Sequence, residues 1–269
     1  MLTFEFPLRL LPCVKARHHW FHERPSAADA CGLAIHYHCR HTAPVPGFRR
    51  TPKFTKLMDL RKTGDQLFDE LGKDTRHKIK RAIAEGLRFS VVEDREELRA
   101  VHNEFARAKH LPLVEERVLR AYWPKLLATK LSQDGKVLVM HGYLLDPESK
   151  RACQSHAAAL FRSTDDRQQQ NLIGRANRLL HYLDMLALKE RGFEVFDIGG
   201  YALNTTDPEL QEVNAFKDSF GGQLVEESVY TSLPLLLLRG VSGWLRGTAR
   251  RTPIRSRTEP PSAERPASD

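Results

Sequence analysis

The residues able to do chemistry crowd between Asn171 and Gly222. The run Asn171-Leu172-Ile173-Gly174-Arg175-Ala176-Asn177-Arg178 places small residues where polar sequence gives way to an apolar helical period. A helix starting there would point partnerless N–H groups and the positive end of its dipole outward, which suits an anion. Gly174 and Ala176 would leave that backbone bare to a phosphate, and Arg175 and Arg178 would add charge-assisted donors. The competing reading is an ordinary helix start with small residues for packing. Further on, Asp197 stands near a strand end, before Gly199, Gly200 and Tyr201. A carboxylate there can accept a proton or cap the next turn. An ordinary imidazole titrates near neutrality, so His156 and His181 could each act as a base, or simply pack. Arg76, Lys80 and Arg81, with His77 and Lys78, make Thr75–Gly86 a basic helix. Such a face suits an anionic ligand or a nucleic-acid backbone, or is merely solvated.

These groups need elements to hold them. Leu179, Leu180, Leu183, Leu186 and Ala187 recur at helical spacing, and Gly192 ends that helix. Phe193–Ile198 alternates as a half-buried strand that Gly199-Gly200 terminates. Pro208–Phe220 reads as a second helix, stopped by Gly221-Gly222, and Gln223–Ser232 as a strand. Upstream, the pattern predicts a strand at Gly32–Cys39, a short strand at Leu57–Leu60, and helices at Asp65–Leu71 and Thr75–Glu85. A strand at Leu87–Val92 follows, then helices at Glu96–Lys109 and Glu115–Leu131. Val137–Leu145 and Ala152–Phe161 read as hairpin strands. The order is that of a mixed α/β sheet flanked by helices. No internal repeat is present.

Four stretches resemble the GNAT superfamily of acyltransferases, and more closely its Fem-like branch of peptidoglycan-bridge aminoacyl transferases. They are Ile173–Arg178 with Leu180-His181, Phe196–Gly200, Phe216–Gly222, and Leu57–Leu60 with Thr75–Ala82 and Glu85-Gly86. The resemblance spans Phe54–Ser232 and implies a GNAT-like domain over 51–232; the strand count is one short of that fold. Residues 1–50 become a His-rich extension or the remnant of a first GNAT-like half. The resemblance implies acyl or aminoacyl transfer to an amine, with acyl-CoA or aminoacyl-tRNA as co-substrate and no tightly bound cofactor. Asn171 and Ile173–Arg178 would cradle the donor. Lys217 would sit close to the transfer site, where a cation steadies an oxyanion or a phosphate. Asp197 would orient the amine or take its proton, Tyr201 would protonate a leaving thiolate, and Arg76, Lys80, Arg81, His181, Gly199 and Gly200 would meet substrate. The acceptor would be a small amine or a cell-envelope or polysaccharide precursor. The first half of a Fem protein is missing or reduced here, which argues against peptidoglycan itself.

Composition is compatible with this reading. The 269 residues suffice for one sizeable core, and a net charge of +8 favours anionic partners, tRNA among them. Four irregularly spaced cysteines suggest a reducing compartment, and Met1–Cys13 is a poor signal peptide, so a cytoplasmic location is expected. Residues 233–247 mix leucines with arginines, as an interfacial helix on anionic lipid or a terminal element packed on the core would. Residues 248–269 have the composition of a disordered tail. The cluster Cys13, His18, His19, His22, Cys31, His36, His38, Cys39 and His41 lacks the two tight ligand pairs of a structural zinc site, so no metal is expected. No stable protein partner is expected either. Two rival functions remain: a non-catalytic GNAT-like protein holding RNA or an anionic nucleotide-sugar, and a peripheral membrane protein.

Overall fold

Strand pairing dominates the architecture. The computed structural model describes residues 1–8 and 13–239. Ten strands form one mixed sheet: β1 (Leu2–Pro7), β2 (Lys15–Trp20), β3 (Ala34–Cys39), β4 (Phe48–Asp59), β5 (Arg88–Val91), β6 (Leu126–Gln133), β7 (Lys136–Asp146), β8 (Arg151–Ala159), β9 (Val195–Tyr201) and β10 (Gln223–Ser232). Their order across the sheet is β1-β2-β3-β10-β4-β9-β8-β7-β6-β5. Only β2–β3 and β8–β9 run parallel. The N-terminal strands therefore continue the sheet through β10, and β4 itself spans the boundary expected at residue 50.

Helices cover both faces: α1 (Ala27–Ala30), α2 (Gly64–Asp69), α3 (Lys73–Ala84), α4 (Arg95–Ala108), α5 (Glu116–Tyr122), α6 (Arg167–Glu190) and α7 (Pro208–Asp218). On one face Ile79 of α3 and Ile173, Ala176, Leu180 and Leu188 of α6 pack on Leu131, Val139, Tyr143 and Phe196. On the other, Leu98 of α4 and Leu119 of α5 close over Ala128 and Met140. Neighbouring strand residues thus feed opposite cores, as pleating requires. Each large apolar side chain buried this way contributes about 1.5–3 kcal/mol. Among the described residues no helix is long and apolar enough to cross a membrane.

Local signals explain the helix starts. Thr63 and Gln66 form a reciprocal capping box on α2, and Asp207 caps α7 with Pro208 in its first turn. The expected elements depart from the structure in four places. First, α6 begins at Arg167 under an Asp166 cap rather than after Gly174, because Leu172 and Ile173 extend its apolar stripe backward. Second, the helix read at Glu115–Leu131 ends at Tyr122. Pro124 sits in a following 3₁₀ turn, and Leu126–Gln133 becomes β6, supplying the strand missing from the count. Third, Gly199-Gly200 does not end β9, which continues to Tyr201 past a register shift on its partner. Fourth, the N-terminal extension holds three strands rather than one. Residues 233–239 are helical; Leu235 is buried beside Ala16 and Ile35, whereas Leu237 is exposed. The rest of the leucine–arginine segment and the tail expected at 248–269 lie outside the described residues.

Gly222, just before β10, has φ +76°, and a Cβ there would lie 2.6 Å from the Leu57 carbonyl oxygen. Replacing it with alanine is expected to lower unfolding stability by about 1–3 kcal/mol from the left-handed backbone alone. A shift of the urea midpoint at unchanged slope checks this.

Candidate active site

The sheet splits between its central strands. The parallel β8–β9 pairing has rungs at Arg151–Val195, Ala152–Phe196 and Cys153–Asp197 and then stops. Beyond that point β8 follows β7 as far as Ala159, while β9 follows β4 as far as Tyr201. At the split Gly199 adopts φ +86°, and a Cβ on it would sit 3.5 Å from the Gln154 carbonyl oxygen and 3.9 Å from Lys217 Nζ. Lys217, from α7, donates to the Gly200 carbonyl. Lys217, Gly199 and Gly200 are therefore brought together at the mouth of the opening. Burial lowers the Lys217 pKa below its usual 10.5, and Asp197 pulls the other way.

Asp197 closes the opening but is not at its surface. It is fully buried and accepts from the Arg151 guanidinium, the Thr55 hydroxyl and, at 2.8 Å, the Gly199 N–H. Burial alone would raise its pKa; the Arg151 charge, then His38 and Thr55, outweigh that and hold it at about 2. A carboxylate so weakly basic does not take a proton from an amine at neutral pH, so the expected base is instead an ion-pair anchor. Arg151 also donates to Glu227 Oε1 at 2.6 Å, and His38 Nδ1 lies 2.7 Å from Glu227 Oε2.

The two candidate histidines are packed. His181 is 2% exposed, its ring 4.1 Å from that of His141 and 5.1 Å from Phe220, and burial pushes its pKa well below the usual value. His156 lies against His102 of α4 and touches Ser155 Oγ at 2.9 Å; burial brings it down to about 4. Tyr201 donates to Asp218 Oδ2 at 3.0 Å, and Lys56 holds Oδ1 of the same carboxylate at 2.6 Å. The Tyr201 proton is thus engaged by a neighbour, and partial burial followed by Asp218 raises its pKa.

A separate groove of about 840 Å³ runs between α3 and the first half of α6. His77, Lys78 and Arg81 line one wall; Asn171, Gly174, Arg175 and Arg178 line the other. The expected cradle is corrected here. Gly174 lies well inside α6, where backbone N–H groups are spent on the helix, though nothing within 4 Å would obstruct a Cβ on it. Ile173 and Ala176 face the core, and the Asn177 side-chain oxygen meets His141 Nε2 at 3.0 Å. Side chains, not bare backbone, make this groove basic. Several are already paired: Arg175 Nε with Glu85 at 3.1 Å, and Lys78 with Asp74 at 2.7 Å. Arg76 and Lys80 turn away, toward the Asp69 carbonyl and the Phe68 ring. Arg178 joins groove to opening, since it lines the first and stacks at 5.1 Å on Phe216, the residue before Lys217.

Sequence reasoning missed Arg151, Glu227, Asp218 and Gln154. Gln154 stands at the split with a buried Nε2 that makes no hydrogen bond. Arg151 and Glu227 are placed by strand register and Asp218 by the return of α7 to Lys56 and Tyr201, contacts that no local spacing announces.

No family model matches the chain, and no curated protein matches it. Solved structures share its fold. FemX superposes with a TM-score of 0.57 at 14% identity, over 75% of this chain and 66% of that one. L-PGS from Bacillus licheniformis gives 0.51 at 17% identity, over 80% and 74%. The C-terminal domain of an Agrobacterium fabrum protein described as a lysylphosphatidylglycerol synthetase gives 0.50 at 18%, over 82% and 74%. This chain therefore spans just under two thirds of FemX. At these identities the likeness is one of fold, shared with FemX and the two L-PGS proteins.

Asp197→Asn is expected to leave Arg151 undercompensated in the core and cost roughly 3 kcal/mol or more of stability. The folded pKa lies below the ordinary 3.8, so the contribution is complete above that value and lost as pH falls toward 2. Acid unfolding followed by circular dichroism should show this limb in the parent and a weakened one in the variant.

Proposed function

We propose that this chain transfers an acyl or aminoacyl group to an amine. The donor carbonyl would enter the β8–β9 opening, and the donor's anionic part would lie along the α3–α6 groove. The observation that carries this reading is the parting of β8 from β9, with a partly buried ammonium beside it. Attack of an amine on a thioester or ester passes through a tetrahedral oxyanion, and a fixed cation in a low-dielectric cleft stabilises that charge. Lys217 is the group so placed, held by the Gly200 carbonyl. Positioning supplies the remainder, because holding carbonyl and amine in contact removes much of the entropic barrier. Asp197 serves by anchoring the closed end of the opening rather than by moving protons. The acceptor, by resemblance, is an amine of a small molecule or of a cell-envelope or polysaccharide precursor.

Arg178 supports continuity between the two regions, since one side chain borders the groove and packs against α7. Acyl-CoA and aminoacyl-tRNA both offer a carbonyl attached to a phosphate-bearing carrier, and either suits a cationic groove leading to a cation-lined opening.

Thermal-shift measurements with acetyl-CoA, longer acyl-CoAs and aminoacyl-tRNA analogues identify the donor. A ligand at about 100 times its Kd adds about 2.7 kcal/mol of stability. With that donor, Lys217→Ala is expected to lower kcat by roughly 10²-fold or more. Lys217→Arg should retain more activity and move the alkaline limb of the pH profile upward, because the lysine loses its charge below the usual 10.5. Absence of a shift with every donor class, together with full activity in Lys217→Ala, would defeat the reading.

A further inference from the structure

A second polar cluster lies outside the opening and the groove, where β2, β3 and α1 meet. The parallel register pairs His19 with His36, and their rings stack at 4.5 Å. Asp29, on α1, brings Oδ2 to 3.2 Å from His36 Nε2 and 3.7 Å from His19 Nε2. His19, Asp29 and His36 are 6%, 4% and 0% exposed. The His22 ring stands 4.9 Å from that of His19 and 5.2 Å from that of His36.

This cluster is short of partners. His22 Nε2 and His36 Nδ1 are buried and make no hydrogen bond, and the Nε2 atoms of His36 and His19 face only the Asp29 carboxylate, at 3.2 and 3.7 Å. Leaving one buried polar group unsatisfied costs about 1–3 kcal/mol, so a cluster that holds such imidazole nitrogens has coordination to gain from a ligand. The supporting groups are complete by contrast. Thr3 Oγ1 and His19 Nδ1 lie 2.9 Å apart, which leaves Nε2 as the free face of that imidazole. Ser26 donates to Asp29 Oδ2 at 2.7 Å, and Arg17 lies 2.8 Å from Oδ1, so the carboxylate is fixed in orientation.

The free atoms converge as metal ligands do. One ligand atom each from His19, Asp29 and His36 lies within 4.8 Å of the others. Donors about 2.0–2.2 Å from a tetrahedral ion stand ~3.3 Å apart, so small side-chain adjustments close the set. A second trio, His38, Cys153 and Asp197, is equally close. There the Arg151 guanidinium already occupies the carboxylate and Glu227 engages His38, so two of the three ligands are held by other charges.

We propose that His19, Asp29 and His36, with His22 as the fourth ligand, bind a divalent transition-metal ion of the zinc class. Three imidazole nitrogens and one carboxylate oxygen suit zinc and disfavour magnesium or calcium, which prefer all-oxygen sets. Four protein donors close the coordination sphere, so the ion is structural and clasps β2, β3 and α1 together at one end of the sheet. The ligands fall into no tight sequence pairs because parallel strand pairing, rather than local spacing, assembles them. This reverses the expectation of no metal.

The test uses untagged full-length protein, loaded with Zn(II), gel-filtered and assayed for metal by mass spectrometry. A single tightly held equivalent is expected, and Co(II) substitution should give the intense visible bands of a tetrahedral site. Asp29→Asn, which keeps the side-chain shape, and His36→Gln should each weaken Zn(II) binding by more than the ~10–100-fold that loss of a supporting group costs. His110→Ala, on an exposed turn, should not. Chelation should lower the melting temperature of the parent and leave that of Asp29→Asn unchanged. Folded parent protein that retains no zinc would overturn the proposal. So would zinc retained equally by both ligand variants, since it would then sit elsewhere, as at the exposed Cys13 or Cys31.

Discussion

One guanidinium, withdrawn from water in the middle of the sheet, sets the terms for everything around it. Arg151 of β8 meets Asp197 of β9 and Glu227 of β10, with His38 of β3 and Thr55 of β4 completing the contacts. These five strands are consecutive across the sheet. A buried charge without its partners costs several kcal/mol, so the strands that supply the carboxylates must stay in register with the strand that supplies the arginine. The interaction lies at the last closed rung of the β8–β9 pair. It is the hinge pin from which the two strands diverge, and the depth of the opening is set there.

The consequences run outward through α6 and α7. One stripe of α6 is core, through Ile173, Ala176 and Leu180, while its other side borders the groove. The first turn of α6 borders the groove as well, but the Asp166 carboxylate caps it by accepting from the Gln168 N–H, so cationic side chains take the anion-facing role. Helix α7 returns across the opening and delivers Lys217 to Gly200. Phe216 and Phe220 anchor α7 against His181, an imidazole held neutral by complete burial, so a titratable residue serves there as packing. The N-terminal strands belong to the same mechanical unit, because β10 pairs with β3 on one side and β4 on the other. They extend the sheet rather than standing apart from it.

Much of this was legible wherever a local signal suffices. Helix α7 and strand β10 follow from Asp207-Pro208 at one end and Gly221-Gly222 between them, since caps and left-handed glycines act within a few residues. Strand β6 was not legible: Leu126, Leu127 and Leu131 fit a helical stripe as well as a strand, and only the vacancy between β5 and β7 decides. The start of α6 was misjudged because Arg167–Asn171 is polar enough to pass for a loop, while Asp166 caps it quietly. In the candidate site, Lys217, Gly199 and Gly200 were named from the sequence and do meet, whereas Arg76 and Lys80 share a helix with groove residues but point elsewhere.

By itself the sequence determined the alternation of Phe193–Ile198, the glycine punctuation, the basic helix and the order of elements, all of which depend on neighbours in the chain. That order already specified a mixed sheet flanked by helices. The tertiary structure alone decided that Asp197 is an anchor rather than a base. The guanidinium that lowers its pKa comes from residue 151, and no spacing rule links the two. The same holds for the paired imidazoles of β2 and β3. Electrostatics acts through space, and the chain's order carries no record of which charges will be brought within a few ångströms.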